Sequence, residues 1–465
     1  MKIELFQKES SSLGVDRNPF VKKAKIMLSS LLILSLLIYV LIPLKSEVSM
    51  PLYYSSFILM LFSNYIYFKA KKKKNYLDFD TLFILVYCLV CFSTTFVYND
   101  EFLFRAVFMA FPVDSEYINI GNQLALIGLQ AYMMGNLKNQ HLKKEELRHA
   151  VIGTQFLILF IFLLCLAFFA SGGITYYRSV YDENVNSEGP GISGHILLLL
   201  ISTCIATIAT EYYNKKIVPR YKVSRIFIGI IVFVVLLLLW SGNRTAVSQL
   251  ILPLVCLYTI LFRNISLKTF VGISLVGIVF MWFVQNQRSE TGFDLKSPML
   301  LILDLTIPAR TTYTAFDFTT EYNYTYGKSM SLGIVGIIPL LPSLVVGNDK
   351  ELLKGSAELL TDYTFDVHKL PSEIRIGLGT TILADIYLSF GLVGVIVLMF
   401  LLGYLVNRYT IKSLSLNYYS MIILGGLLAN AIFLVRASYT HPVRYILWAL
   451  FIAYLNKILL LKWKR

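Results

Sequence analysis

Charge is scarce in this chain: 15% of its 465 residues are Asp, Glu, Lys or Arg, against about a quarter in an ordinary soluble domain. So few charges cannot clothe a soluble surface, and hydrophobic residues at 56% exceed what a globular core of this length can hide. Cysteine is sparse too. Cys88, Cys91, Cys165, Cys204 and Cys256 all fall inside apolar stretches, which excludes an extracytoplasmic disulfide framework. Cys88 and Cys91 have the spacing of a redox pair, but inside a membrane span packing accounts for them better. The five histidines, His141, His149, His195, His368 and His441, show no metal-ligand spacing. Asp78 and Asp80 resemble a metal-binding carboxylate pair, yet they open an apolar span behind a lysine run, where helix capping explains them. Neither a metal nor a cofactor is therefore expected. No repeat of fixed period is visible. The first apolar span lacks a small-x-small exit, so it reads as a retained anchor and not as a cleaved signal.

What the chain has in abundance is apolar windows of roughly 20 residues, the length that spans a bilayer as a helix. They recur from Ile26 to Leu461 without a gap large enough for a soluble domain. The expectation is an all-α polytopic membrane protein, a single transmembrane domain over residues 1–465. About 12 spans are expected: Ile26 to Leu44, Met50 to Phe68, Thr81 to Tyr98, Ile118 to Asn136, Ala150 to Ala170, Ile192 to Thr210, Ile226 to Trp240, Val247 to Phe262, Thr269 to Val284, Thr381 to Val406, Tyr418 to Val435 and Tyr445 to Leu461.

The net charge of +14 is a topology signal once it is placed along the chain. Lysines lie in short runs between spans, as in Lys69 and Lys71 to Lys74, and nucleic acid is not implied. With both termini in the cytoplasm, 28 of the 42 basic residues lie inside, as the positive-inside rule requires. Arginine does not follow lysine. Seven of the 28 inner basic residues are arginine, against eight of the 14 outer ones: Arg105, Arg178, Arg244, Arg288, Arg310, Arg375, Arg436 and Arg444. Topology disfavours positive charge on that face, so these planar forks need another reason to be there, and bidentate grip on a phosphate supplies one. Helix capping or pairing with loop carboxylates is the plainer account of any single one.

One outer connection is long, residues 285–380 between the ninth and tenth spans, and a loop of that size is functional or disordered. It contains Met299 to Ile307, too short to span, and Ser331 to Val346, interrupted by Pro339 and Pro342. Such pieces lie at the interface or re-enter the bundle. Glu101 to Pro112, with Phe102, Phe104, Phe108 and Phe111 beside Arg105, suits a helix lying on the outer leaflet. Tyr313, Tyr322, Tyr324, Tyr326 and Tyr363 in the long loop can stack on sugars, although an interfacial belt also uses tyrosine.

Three segments resemble the O-antigen and capsule repeat-unit polymerases of Wzy type, members of the C-type glycosyltransferase superfamily. They are Ser241-Gly242-Asn243-Arg244-Thr245, Tyr326-Gly327-Lys328 leading to Pro339 and Pro342, and Leu383 to Gly394 around Asp385. The likeness runs from about Trp240 to Gly403; family members often carry glutamate where this chain has Asp385. The resemblance implies transfer of a growing glycan from undecaprenyl diphosphate to the non-reducing end of a lipid-linked repeat unit. The reaction would occur on the outer face of the bacterial plasma membrane, as in lipopolysaccharide or capsule synthesis. The implied partners are undecaprenyl-diphosphate-linked oligosaccharides, membrane lipid and a chain-length regulator.

Such a reaction needs cations for the departing diphosphate and a base for the acceptor hydroxyl. Arg244 is carried over from the family motif and joined by Arg375 as a catalytic candidate, with Arg310, Arg436, Arg444, Arg288, His441 and Tyr387 as diphosphate or sugar ligands. Asp385 is the candidate base, or else orients an arginine or caps a helix; His441 is its rival. An outer-face ligase would use the same arginines. A lipid-linked oligosaccharide flippase would instead carry charge through its depth and show repeat symmetry.

Overall fold

The computed structural model describes residues 19–94, 115–138, 150–179, 191–218, 220–286, 305–338, 354–369 and 377–463. Among them there is no strand. The helices are α1 (Pro19–Leu41), α2 (Met50–Lys71), α3 (Phe79–Cys91), α4 (Ile118–Asn136), α5 (Gln155–Ala170), α6 (Gly173–Ser179), α7 (Gly191–Ile217) and α8 (Arg225–Trp240). They continue as α9 (Arg244–Leu261), α10 (Leu267–Asn286), α11 (Arg310–Tyr322), α12 (Lys328–Val335), α13 (Ser356–Val367), α14 (Ile382–Leu414), α15 (Tyr418–Ala429) and α16 (His441–Trp463).

A helix occupies each of the twelve expected stretches, wholly or in large part. By length and composition α1, α7, α9, α14 and α16 can cross a membrane, and α3, α5, α8, α10 and α15 are shorter apolar helices. Their surfaces fit lipid. On α5, Leu157, Ile161, Leu164 and Phe168 are buried while Leu159, Phe162, Leu163, Leu166 and Phe169 are exposed, a helix apolar all round with only one face covered by protein. The described parts of 285–380 carry α11, α12 and α13. The expected surface helix at Glu101 to Pro112 lies outside the described residues, as do most of Met299 to Ile307 and the stretch with Pro339 and Pro342.

The chain divides into two compact units. The first comprises Met1–Lys73, Asp114–Glu145 and Leu392–Arg408. Its centre is α4, buried along nearly its whole length although it carries Asn119, Asn122, Gln123, Gln130 and Asn136. These amides bind neighbouring helices: Gln123 donates to Ser35 O at 2.8 Å and accepts from Ser56 Oγ at 2.9 Å, and Gln130 donates to Ser63 Oγ at 3.2 Å. Lipid tails are as apolar as leucine, so amides and small residues specify such packing. Gly135 and Gly403 let two backbones touch, since a Cβ on the first would lie 1.9 Å from Phe400 O and one on the second 2.0 Å from Tyr132 O.

The second unit comprises Lys74–Val113, Glu146–Gly391 and Tyr409–Arg465. Here α7 packs on α5, α9, α15 and α16. At one end of this bundle the α7 and α9 C-termini meet, with Lys216 Nζ on Leu261 O at 2.7 Å, and Asn456 near the end of α16 reaches Gly153 O before α5. Lys215, Lys216, Lys412 and Lys457 belong to this end. The α15 N-terminus joins it through Tyr418 and Thr210, 2.9 Å apart, so α15 runs antiparallel to α7 and α9. The opposite end therefore gathers the α9 and α16 N-termini and the α15 C-terminus.

The tenth expected span, Thr381 to Val406, is interrupted. Gly391 adopts φ 61°, ψ −155°, which ends one helical run inside α14, and residues 382–390 belong to the second unit. The carbonyls of Leu388 and Ser389, which have lost their helical donors, accept from Thr325 N–H at 2.9 Å and Tyr326 N–H at 3.1 Å. The loop between α11 and α12 thus caps the break, satisfying buried carbonyls that the helix leaves without donors.

Candidate active site

The site is assembled from helix starts. In the Ser241 to Thr245 motif, Gly242 takes a left-handed φ of 83° and Asn243 caps α9 by accepting from Ala246 N–H at 3.0 Å. Arg244 is therefore the first helical residue, half-buried, at the positive end of the α9 dipole. Five residues on, Gln249 donates to Asn430 Oδ1 at 3.0 Å, and Asn430 holds Gly426 O. That buried pair ties the start of α9 to the end of α15, six residues before Arg436.

Arg310 opens α11 after a turn containing Pro308 and is 3% exposed. Burial holds its guanidinium below the ordinary arginine value, at about 10, so it is still charged at neutral pH. Thr312 Oγ1 lies 2.8 Å from Thr381 Oγ1, and Thr381 caps α14 by accepting from Ala384 N–H. Asp385 sits one turn later. The turn before Arg310 (Ile307–Ala309) and the turn ending at Arg436 (Phe433–Arg436) both pack on α3, whose end also receives the Tyr313 hydroxyl through Thr94.

Asp385 is 0% exposed. Its Oδ2 accepts the Tyr439 N–H at 2.8 Å, across 54 residues of sequence. The Ser356 hydroxyl lies beside the carboxylate, but neither Ser356 Oγ nor Asp385 Oδ1 has a hydrogen-bond partner among the described residues. Tyr439 belongs to the non-helical link between Arg436 and His441. Two further bonds hold that link: Thr440 Oγ1 to Met330 O at 3.0 Å, and His441 N–H to Ser438 O at 3.0 Å. Within α16, Arg444 Nη2 stands 3.4 Å from His441 Nδ1 and its guanidinium covers the Tyr445 ring at 5.3 Å. Arginine only donates, so Nδ1 accepts and the imidazole proton lies on Nε2. Arg444 Nε is buried without a hydrogen-bond partner among the described residues.

The structure thus gathers Arg244, Arg310, Arg436, Arg444, His441 and Asp385 at one end of the second unit. Tyr387 is buried, its ring 4.4 Å from Phe316 and 6.0 Å from Tyr324. Arg288 and Arg375 lie outside the described residues. Beside this end Tyr322, Tyr324 and Tyr326 are exposed, and the Tyr363 hydroxyl meets Asp317 at 2.7 Å and Glu321 at 2.9 Å. Burial, then those two carboxylates, push the Tyr363 phenol well above its ordinary range. Ser356, Thr381 and the Tyr439 amide were not visible in the sequence as site residues, because a backbone donor carries no residue signature and lone hydroxyls are placed only by contacts between distant segments.

The profile of the O-antigen polysaccharide polymerase Wzy family matches residues 24–463. The chain belongs to that family. Wzy proteins are inner-membrane polymerases of glycosyltransferase type that act on lipid-linked repeat units, and the apolar helices of this member fit that setting. No curated protein and no solved structure matches this Wzy chain.

Proposed function

We propose that this Wzy-family chain transfers a growing glycan from undecaprenyl diphosphate to the non-reducing end of a lipid-linked repeat unit, on the outer face of the plasma membrane. The observation that carries the reading is the gathering of Arg244, Arg310, Arg436 and Arg444 at the end of the second unit opposite Lys215, Lys216 and Lys457. Lysine marks the cytoplasmic end and arginine the working end. As the anomeric C–O bond breaks, negative charge builds on the diphosphate, and cations already fixed in a partly dry site lower that barrier without reorganising. The desolvated Arg310 and the buried Nε of Arg444 are donors of this kind. The exposed rings of Tyr322 and Tyr326 offer stacking surface to the sugars, and Asp317 and Glu321 offer acceptors to their hydroxyls. The acceptor hydroxyl bonds to the anomeric carbon as the bond to the diphosphate oxygen breaks, and its proton passes to the departing undecaprenyl diphosphate or to water. No metal takes part in the proposed step. The same reading includes a C-type glycosyltransferase-like fold of about twelve crossings, both termini in the cytoplasm, and a chain-length regulator as partner.

Purified protein given one lipid-linked repeat unit tests the proposal: a ladder of products is expected. Arg244→Ala should cut the rate about 10²- to 10³-fold, the usual cost of removing one preorganised donor, while membrane insertion is unchanged. Wild-type ladders from that variant remove Arg244 from the site. Transfer only to an added acceptor identifies a ligase, and translocation across a vesicle without a new bond identifies a flippase; either overturns the polymerase reading.

A further inference from the structure

The carboxylate at the centre of the site has no open face. Asp385 is fully buried, one oxygen is bound to the Tyr439 amide, and the buried Ser356 hydroxyl lies beside the carboxylate. Fully buried, it presents no surface to an acceptor hydroxyl in this structure. What the carboxylate does hold is the link before α16, residues 437–440, which carries Arg436 on one side and His441 and Arg444 on the other. The link is extended at Ala437 (φ −142°, ψ 173°), so no helical ladder fixes it. Resting on the polymerase reading above, we propose that Asp385 is a positioning residue: it acts through the Tyr439 amide to hold the arginine-bearing link in register for the lipid diphosphate, and is not the base that takes the acceptor proton.

Charge on Asp385 is then dispensable and its acceptor geometry is not. In Asp385→Asn the amide oxygen still accepts from Tyr439 N–H, and the new NH2 group can donate to Ser356 Oγ, which has an open lone pair. In Asp385→Ala the buried Tyr439 N–H loses its acceptor. Thr440→Val offers an independent arm, because it cuts the second tether of the same link, to Met330 O, without altering any charge.

The experiment is steady-state polymerisation of a single lipid-linked repeat unit by detergent-purified full-length protein, with melting temperature recorded for every variant. Asp385→Ala and Thr440→Val are expected to raise KM for the lipid diphosphate, the former about tenfold, as loss of a buried hydrogen-bond acceptor allows. Asp385→Asn is expected within about threefold of wild type in both kcat and KM, with the pH profile of kcat unchanged. A folded Asp385→Asn protein that loses most of its kcat overturns the inference and restores the carboxylate as base, and a folded Thr440→Val protein with wild-type KM overturns the role of the link. Failure of the wild-type protein to extend the repeat unit at all counts against the polymerase reading and not against the role of Asp385.

Discussion

Gly403→Ala tests the packing of the first unit most sharply. A Cβ at this position meets Tyr132 O at 2.0 Å, Asn136 N at 2.9 Å and Tyr132 C at 2.9 Å, all backbone atoms of α4. Ordinary contact begins near 3.4 Å, so the helices must part by roughly 1.4 Å along that line. A side chain could rotate aside; a helical carbonyl cannot. Overpacking costs about 1–3 kcal/mol in general, and this contact belongs at the upper end because both surfaces are backbone, which corresponds to about a hundredfold in the folding constant. Separation also stretches the buried amide contacts of α4, Gln130 to Ser63 among them. The assay is thermal unfolding in detergent, with Gly229→Ala and Gly272→Ala as controls on α8 and α10, where a Cβ meets nothing within 4 Å. The controls should be neutral or slightly stabilising, since alanine is the better helix former. If Gly403→Ala melts with wild type and with the controls, close backbone approach is not what holds this unit together.

Gly391→Ala should be destabilising by about 1–3 kcal/mol and should lower polymer yield, because φ 61° with ψ −155° suits only glycine and the new Cβ would lie 2.9 Å from the Tyr324 ring. Truncating Tyr324 as well should leave most of that loss in the melting temperature, the backbone strain being untouched; full recovery would place the fault in the ring alone. Tyr363 binds its proton more tightly in the folded state than the ordinary phenol value of 10.0, owing first to burial and then to Asp317 and Glu321. Its contribution to stability is therefore complete below pH 10 and is lost as pH rises above it. Tyr363→Phe should flatten the alkaline fall in melting temperature, and an unchanged alkaline slope would refute the assignment.

Much of the helical layout could be read directly from the chain, because a bilayer demands long apolar windows and rewards lysine on one side only. The same asymmetry separates Arg244, Arg310, Arg436 and Arg444 from the lysines in the sequence itself. The Ser241 to Thr245 segment stood out only as a family-like motif; its left-handed Gly242 and capping Asn243 came with the structure. Beyond that, tertiary structure decided. Gly391 lies in an apolar run that composition cannot distinguish from an unbroken span, and it is the Thr325 and Tyr326 amides, some 65 residues earlier, that make the break tolerable. Asp385 looked equally like a base or an orienting group. Only tertiary structure buries it against the Tyr439 amide and Ser356, because burial arises from contacts between distant segments and not from the residue itself.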